Sequence, residues 1–162
     1  MTGTVLQVNV SPGGIPKREI PFGELTPAGF TGDAWRYPFH GGPRQAVLLI
    51  TIEGIEELVA QGFPLYPGAL GENLTTRGLD RRGLRFGQRL RVGEATIELT
   101  KMRQPCATLN PCGRGIQAAM YDARVVKGDA DSPLWGLSGF YASVVEPGIV
   151  RPGDTVVVAA GG

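Results

Sequence analysis

The residue with the clearest chemical potential is Cys106, which ends the run Arg103-Gln104-Pro105-Cys106. A thiol acts as a nucleophile or a metal ligand in its thiolate form, and a nearby positive charge stabilises that form. Arg103 supplies such a charge, and Pro105 restricts the backbone before the cysteine. Cys106 is therefore a candidate catalytic residue, a ligand for a soft or high-valent metal, or a sulfur carrier as a persulfide. The alternative is a small buried side chain without chemistry, which we expect for Cys112.

Two other segments combine polar side chains with glycine. His40, the single histidine, precedes Gly41-Gly42-Pro43-Arg44, where the glycines let the backbone approach a ligand and Arg44 can bind an anion. Glu72 and Asn73 offer acceptor and amide donor groups that suit a heterocycle. Each segment could instead be an ordinary turn, in which Asn73 closes its own turn and Glu72 faces water.

Arginine is concentrated between residues 77 and 91. Six arginines lie in this stretch, which contains a single acid, although the whole chain carries a net charge of only +1. A guanidinium binds phosphate through paired donors, so Arg77 or Arg82 could hold a phosphorylated ligand. Arg89 and Arg91 instead alternate with apolar residues, which predicts that both are solvent-exposed strand residues.

Length and composition indicate one domain over residues 1–162, which on folding buries roughly 70% of the surface of its unfolded chain. The balance of 16 Lys and Arg against 15 Asp and Glu favours neither bulk nucleic-acid binding nor adhesion to a membrane. The chain shows no secretory pattern and no apolar run of about 20 residues, so we expect a cytoplasmic protein. Both cysteines are then expected to be reduced, and their spacing does not match a structural zinc site.

Short segments separated by turns predict a mostly β domain, since 25 Gly and 13 Pro are spread along the chain. Alternation and apolar runs predict strands over residues 6–10, 46–50, 89–92, 95–100, 140–145 and 155–158, with turns at 147–148 and 152–154. Helices are predicted after Thr51, which can cap the first turn, and over 116–121. Ile55, Leu58 and Val59 form the apolar stripe of the first helix, and Gly62 ends it.

These elements predict a small closed or nearly closed β-barrel with a few short helices. Side chains fill the interior of a barrel of this size, so a functional site is expected at its mouth, on the loops that join strands. We therefore interpret the three polar segments as mouth loops.

Taken together, the three segments resemble the MOSC domain, named after the C-terminal domain of molybdenum cofactor sulfurases. The resemblance is carried, in this order, by His40-Gly41-Gly42, Gly71-Glu72-Asn73-Leu74 and Arg103-Gln104-Pro105-Cys106. Stretches near both ends of the chain extend it to almost the full length, and the chain is most similar to stand-alone bacterial members. The resemblance implies a β-barrel that binds a molybdopterin-type molybdenum cofactor, and pyridoxal phosphate is not expected.

On this resemblance, Cys106 is the protein ligand to molybdenum. Arg103, Arg44 and Arg77 would contact the pterin phosphate or oxo groups. The remaining candidates, His40, Glu72 and Asn73, would shape the pterin or substrate pocket.

The resemblance leaves two functions open. Some MOSC proteins reduce N-hydroxylated compounds with electrons from an outside protein, and this chain, which shows no iron–sulfur or flavin motif, would need such a redox partner. Alternatively, Cys106 carries a persulfide or the cofactor itself and delivers it to an acceptor enzyme without turnover. A ligand-binding barrel without thiol chemistry is the third interpretation, because each motif alone is weak.

Overall fold

A computed structural model describes residues 1–159 of the chain. The strands are β1 Thr2–Val10, β2 Arg18–Ile20, β3 Gly23–Thr26, β4 Gly29–Phe30, β5 Val47–Thr51, β6 Leu74–Arg77, β7 Arg89–Val92, β8 Ala95–Met102, β9 Phe140–Glu146, β10 Gly148–Val150 and β11 Thr155–Val158. The α-helices are α1 Ile52–Ala60, α2 Ile116–Met120 and α3 Ala123–Val126. Short 3-10 helices cover Pro38–His40, Arg81–Gly83 and Ala107–Cys112.

Seven strands close into a barrel in the order β11-β7-β8-β9-β5-β6-β1, because β1 pairs back onto β11. The pairing of β5 with β6 is parallel and is connected through α1, whereas the other barrel pairings are antiparallel. Strand β2 extends the sheet beside β1, and β10, β3 and β4 form a second, three-stranded sheet. The expected closed β-barrel with a few short helices is confirmed. Within residues 1–159, no helix has the length and apolarity needed to cross a membrane.

The clearest sequence pattern, the hairpin of β7 and β8, forms as predicted. Leu90 and Val92 are buried in the barrel while Arg89 and Arg91 are exposed. This is the burial that alternation produces when one face of a strand packs on a core. Arg89 also pairs across the hairpin with Glu98 at 3.1 Å, on the exposed face.

Helix α1 begins and ends at the residues that the sequence predicts. The Thr51 hydroxyl accepts a hydrogen bond from the Gly54 amide at 3.1 Å, which caps the first turn. At the other end, Gly62 adopts a φ of 102°, a conformation that favours glycine. Val59 does not belong to the buried stripe, since it is 44% exposed, and Ile52 packs inward in addition to Ile55 and Leu58.

Two predicted loops contain strands. Residues 74–77 of the Gly71–Leu79 segment form β6 inside the barrel, and Gly148, predicted to lie in a turn, begins β10. Strands β2, β3 and β4 have two to four residues each and were not predicted. Two to four residues are too few to show the alternation that identifies a strand. These strands are defined instead by hydrogen bonding to neighbouring strands.

Two apolar cores support the segment that carries Cys106. The first fills the barrel, and the second lies between α1, α2 and the 3-10 helix Ala107–Cys112. Leu109 and Cys112 anchor that 3-10 helix in the second core beside Leu58. Residues 103–106 therefore connect β8 to an element whose position is fixed by packing.

Candidate active-site cleft around Cys106

An open cleft lies at the mouth of the barrel. Its lining residues are Gly14, Ile15, Lys17, Ala34, Trp35, Arg36, His40, Leu48, Gly71, Asn73, Arg103, Gln104, Cys106, Thr108 and Tyr141. The cleft brings together four of the residues selected from the sequence, namely Cys106, Arg103, His40 and Asn73.

Cys106 lies directly before the 3-10 helix and is half-buried. Its Sγ is 2.9 Å from the Thr108 hydroxyl, so the threonine can donate a hydrogen bond to the sulfur. Cys112 is also a free thiol, but it is buried, and its Sγ donates to the Ala69 carbonyl oxygen at 3.6 Å. Burial raises the pKa of Cys112, which favours the neutral thiol. Cys106 is therefore the cysteine available to a ligand in the cleft.

Arg103 places a buried positive charge at the wall of this cleft. Its Nη2 donates to the Leu70 carbonyl oxygen at 2.7 Å, and its own carbonyl accepts from the Ser138 hydroxyl at 2.6 Å. Its Nη1 is buried without a hydrogen-bond partner among residues 1–159. Burial lowers the pKa of Arg103, and the charges of Tyr141, Glu72 and both cysteines oppose this effect. Because an unpaired charged donor is costly to bury, an anionic ligand is the partner that this guanidinium suits.

Asn73 holds the cleft wall together. Its Oδ1 accepts a hydrogen bond from the Leu48 amide at 3.1 Å. Its Nδ2 donates to the Asn9 carbonyl oxygen at 3.2 Å and to Asp33 Oδ2 at 2.8 Å. Both amide hydrogens are thus already used by the protein. The structure favours a positioning role for Asn73 over the expected recognition of a heterocycle.

Lys17 and Asp33 form a buried ion pair at the cleft, which the sequence reasoning missed. Lys17 Nζ lies 2.6 Å from Asp33 Oδ1, and the two side chains are only 6% and 1% exposed. Asp33 also accepts from the Ser11 amide at 3.0 Å, and Lys17 donates to the Ala34 carbonyl oxygen at 3.1 Å. Burial of a charged pair requires partners of this kind. Lys17 lines the cleft, where its ammonium is a hydrogen-bond donor whose charge Asp33 balances.

Glu72 does not line the cleft, contrary to its expected place in the pocket, and it does not face water. Its side chain is fully buried, with Oε2 accepting from the Thr75 hydroxyl at 2.9 Å and Oε1 lacking a partner within the described chain. Burial raises the pKa of Glu72, while hydrogen bonds and the charge of Arg103 act in the opposite direction. Glu72 and Asn73 directly precede β6, so Glu72 lies where the chain enters the barrel wall and its side chain is buried there.

His40 reaches the cleft from an aromatic segment. Its ring packs edge-on against Phe39, with centroids 4.6 Å apart. Burial, and to a smaller extent the charge of Arg103, lowers the pKa of His40. Gly41 has a steric reason to be glycine, since a Cβ there would lie 2.6 Å from the ring of Trp35. Trp35 thereby forms a flat wall of the cleft beside the histidine.

Tyr141 is the other cleft residue that sequence reasoning missed. It lies on β9, where its neighbours Phe140 and Ala142 point into the barrel core. Alternation along this strand places Tyr141 on the opposite face and could have marked it as a candidate. Burial raises the pKa of its phenol, which therefore stays protonated at neutral pH.

The remaining arginine candidates do not line the cleft. Arg44 is exposed, and Arg77 is exposed at the end of β6 where it pairs with Thr4. Arg82 donates to the Asp131 carbonyl oxygen at 3.3 Å. The expected phosphate contacts of Arg44, Arg77 and the arginine-rich stretch therefore find no counterpart in the cleft lining.

A family model for the MOSC domain matches residues 36–157, which is most of the chain. The chain belongs to the MOSC domain family. The uncharacterized protein YflK of Bacillus subtilis (strain 168) is 32% identical over 126 residues, covering 76% of this chain and 52% of YflK. The protein YiiM of Escherichia coli (strain K12) is 35% identical over 91 residues, covering 53% of this chain and 41% of YiiM. This MOSC chain thus spans about half the length of the curated relatives it matches.

The structural comparison extends the likeness over the full chain. The crystal structure of YiiM from Escherichia coli superposes with a TM-score of 0.72 at 26% identity, covering 100% of this chain and 71% of that one. YiiM from Geobacillus stearothermophilus gives a TM-score of 0.69 at 22% identity, covering 98% and 75%, which shows the shared fold.

The donor set of the cleft fits the molybdenum cofactor with which MOSC domains are associated. Among residues 1–159, no group of three or more His, Cys, Asp and Glu side chains is placed to hold a metal. A metal that enters the site already bound to an anionic organic ligand needs fewer protein ligands. Here the protein would supply one thiol, from Cys106, and positively charged side chains beside the organic ligand. Arg103, whose Nη1 has no partner among residues 1–159, supplies positive charge, and Lys17, paired with Asp33, supplies a further hydrogen-bond donor.

Proposed function

We propose that this MOSC protein binds the molybdenum cofactor in the cleft, with Cys106 as the protein ligand to molybdenum, and reduces N-hydroxylated compounds. The observation that carries the proposal is the meeting of the Cys106 thiol and the buried Arg103, with its unpartnered Nη1, at one open cleft. A cytoplasmic setting, which keeps both thiols reduced, belongs to the same proposal.

The reduction of a hydroxylamine consumes two electrons and two protons. The N–O bond breaks, R–NHOH becomes R–NH₂, and the oxygen leaves as water. Bound in the cleft, the cofactor would supply the two-electron, oxygen-accepting chemistry that the amino acids lack. A separate electron-transfer protein would restore the electrons, and it is part of the proposal.

The side chains of the cleft have distinct tasks in this reaction. Cys106 Sγ would hold the metal and Arg103 would compensate negative charge of the cofactor, while Lys17, whose charge Asp33 balances, would donate a hydrogen bond to it. Tyr141 remains protonated and can donate a hydrogen bond to the oxygen of the substrate. His40, with its pKa lowered, is neutral at pH 7 and can accept or pass on a proton.

The test compares two cysteine variants in a reductase assay. Wild type, Cys106→Ser and Cys112→Ser are produced in a host that makes the cofactor, and benzamidoxime reduction is followed with reduced methyl viologen as the electron source. We expect Cys106→Ser to lose activity and Cys112→Ser to retain it, because the Cys112 thiol faces the second core. Equal activity of wild type and Cys106→Ser would reject the proposal.

The partial exposure of Cys106 favours a second candidate, a carrier of sulfur or of the cofactor. A carrier holds a persulfide on Cys106, or releases the cofactor to an acceptor enzyme, and turns over no substrate itself. Cyanide would then release thiocyanate from wild type and none from Cys106→Ala. A thiocyanate yield that is the same in both proteins would exclude persulfide carriage.

A further inference from the structure

The rim of the cleft exposes large aromatic side chains to solvent. Phe39 is 72% exposed and Tyr37 is 39% exposed, and their rings stack with centroids 5.3 Å apart. Phe39 also packs against His40, which lines the cleft, so the stacked pair lies directly beside the entrance. Exposed aromatic rings of this kind are enriched in the centres of protein interfaces.

The chain segments that supply most of the cleft wall carry no acidic residue. Residues 34–52 and 99–121, which supply most of the cleft wall, contain no Asp or Glu. The side chains of Asp33, which contacts the cleft residues Lys17 and Asn73, and of Glu72, which precedes Asn73, are buried. Although the whole chain is nearly neutral, these two segments contribute basic residues and no acidic ones to the cleft that carries Cys106.

Three exposed cations belong to this surface, and their contacts tie each of them to the cleft. Arg36 lines the cleft itself. The Arg44 carbonyl oxygen accepts a hydrogen bond from the Thr100 hydroxyl, which places Arg44 beside the end of β8. Lys101 Nζ lies 5.9 Å from the ring centroid of Tyr141. Within the described chain, none of the three cations forms an ion pair with an acid.

We propose that this cleft rim, formed by Arg36, Tyr37, Phe39, Arg44 and Lys101, is the docking surface for an acidic electron-transfer protein. The inference rests on the proposed function, since it names the surface through which electrons reach the Cys106 site. An aromatic centre with a ring of like charges suits a small, transient complex in which charge steers the partner. Docking over the rim would bring the donor to the cleft entrance by the shortest route.

A charge-reversal pair tests the surface. The double variant Arg44→Glu/Lys101→Glu is compared with Arg77→Glu/Lys127→Glu, which makes the same change in net charge at exposed residues away from the rim. Phe39→Ala is compared with Phe22→Ala, since Phe22 is 55% exposed elsewhere. Each protein is assayed for benzamidoxime reduction with two electron sources, an acidic flavodoxin and reduced methyl viologen.

The two electron sources separate docking from chemistry. We expect Arg44→Glu/Lys101→Glu to lower kcat/KM for flavodoxin by roughly tenfold or more at low salt, because steering raises association rates by at least that factor. The rate with methyl viologen should stay that of wild type. Phe39→Ala should also slow the flavodoxin reaction, while both control variants leave it unchanged. Flavodoxin rates that are equal in rim and control variants would overturn the docking surface.

A binding measurement decides the docking surface even if the chain proves not to be a reductase. Inactivity of wild type with methyl viologen would reject the proposed function alone. Calorimetric titration with flavodoxin at low salt would then still compare wild type with Arg44→Glu/Lys101→Glu. Binding by wild type that the rim variant loses supports the surface, and binding that is absent from wild type or equal in both proteins overturns it.

Discussion

Replacement of Asn73 by alanine tests whether this side chain positions the cleft wall. The change removes three buried hydrogen bonds, to the Leu48 amide, the Asn9 carbonyl oxygen and Asp33. An unpaired buried amide costs about 1–3 kcal/mol, a lost bond to a carboxylate about 1.5–3 kcal/mol and a neutral bond about 0.5–1.5 kcal/mol. Since the three losses overlap at one site, we expect Asn73→Ala to lower the free energy of unfolding by about 3–5 kcal/mol.

Urea unfolding, followed by far-UV circular dichroism, measures this loss through the midpoint at an unchanged slope. Asn110→Ala is the control, because Asn110 is exposed and should change stability by less than about 0.5 kcal/mol. A double-mutant cycle with Asp33→Asn should give a coupling of about 1–3 kcal/mol between Asn73 and Asp33. A loss below about 1 kcal/mol in Asn73→Ala, or the absence of coupling, would refute the positioning role.

Two further predictions concern the same wall. Burial raises the folded-state pKa of Glu72, so the stability contributed by its bound proton is present below the ordinary pKa and is lost as pH rises through the raised one. Glu72→Gln should remove this fall in the free energy of unfolding, which amounts to at most about 1.4 kcal/mol per pH unit. Urea unfolding of both proteins from pH 5 to 8 measures it, and parallel pH profiles of wild type and Glu72→Gln would contradict the prediction. Gly71→Ala should cost about 1–3 kcal/mol, because Gly71 has a φ of 84° and an added Cβ would lie 2.8 Å from Ile15 Cγ2. Thermal unfolding should show a smaller loss for Gly87→Ala, where φ is 88° but no atom lies within 4 Å of the added Cβ, and equal losses would contradict the steric argument.

The barrel could be predicted where one strand carries its own signal. Alternation along residues 89–100 reports which face is buried, and this information is local, so β7 and β8 form as predicted. The cap at Thr51 and the stop at Gly62 are equally local. Strands of two to four residues, such as β4, depend on partners elsewhere in the chain and leave no comparable pattern.

The site could be predicted in part. The order of the motifs identified Cys106, Arg103 and His40, but it does not determine whether the side chains of Glu72 and Asn73 face the cleft or the protein interior. Glu72 and Asn73 were read as pocket groups, yet the partners that fix Asn73 lie 25 to 64 residues away in the chain. Long-range contacts of this kind decide whether a polar side chain faces a ligand or the protein.

The metal content of the purified protein tests the central claim most directly. Wild type, Cys106→Ala and Cys112→Ala are expressed in a host that makes the molybdenum cofactor, purified without chelators, and analysed for molybdenum and pterin per chain by mass spectrometry. The account predicts near-stoichiometric molybdenum in wild type and Cys112→Ala and its loss from Cys106→Ala. Molybdenum that is absent from wild type, or retained in full by Cys106→Ala, would contradict a Cys106-ligated cofactor site.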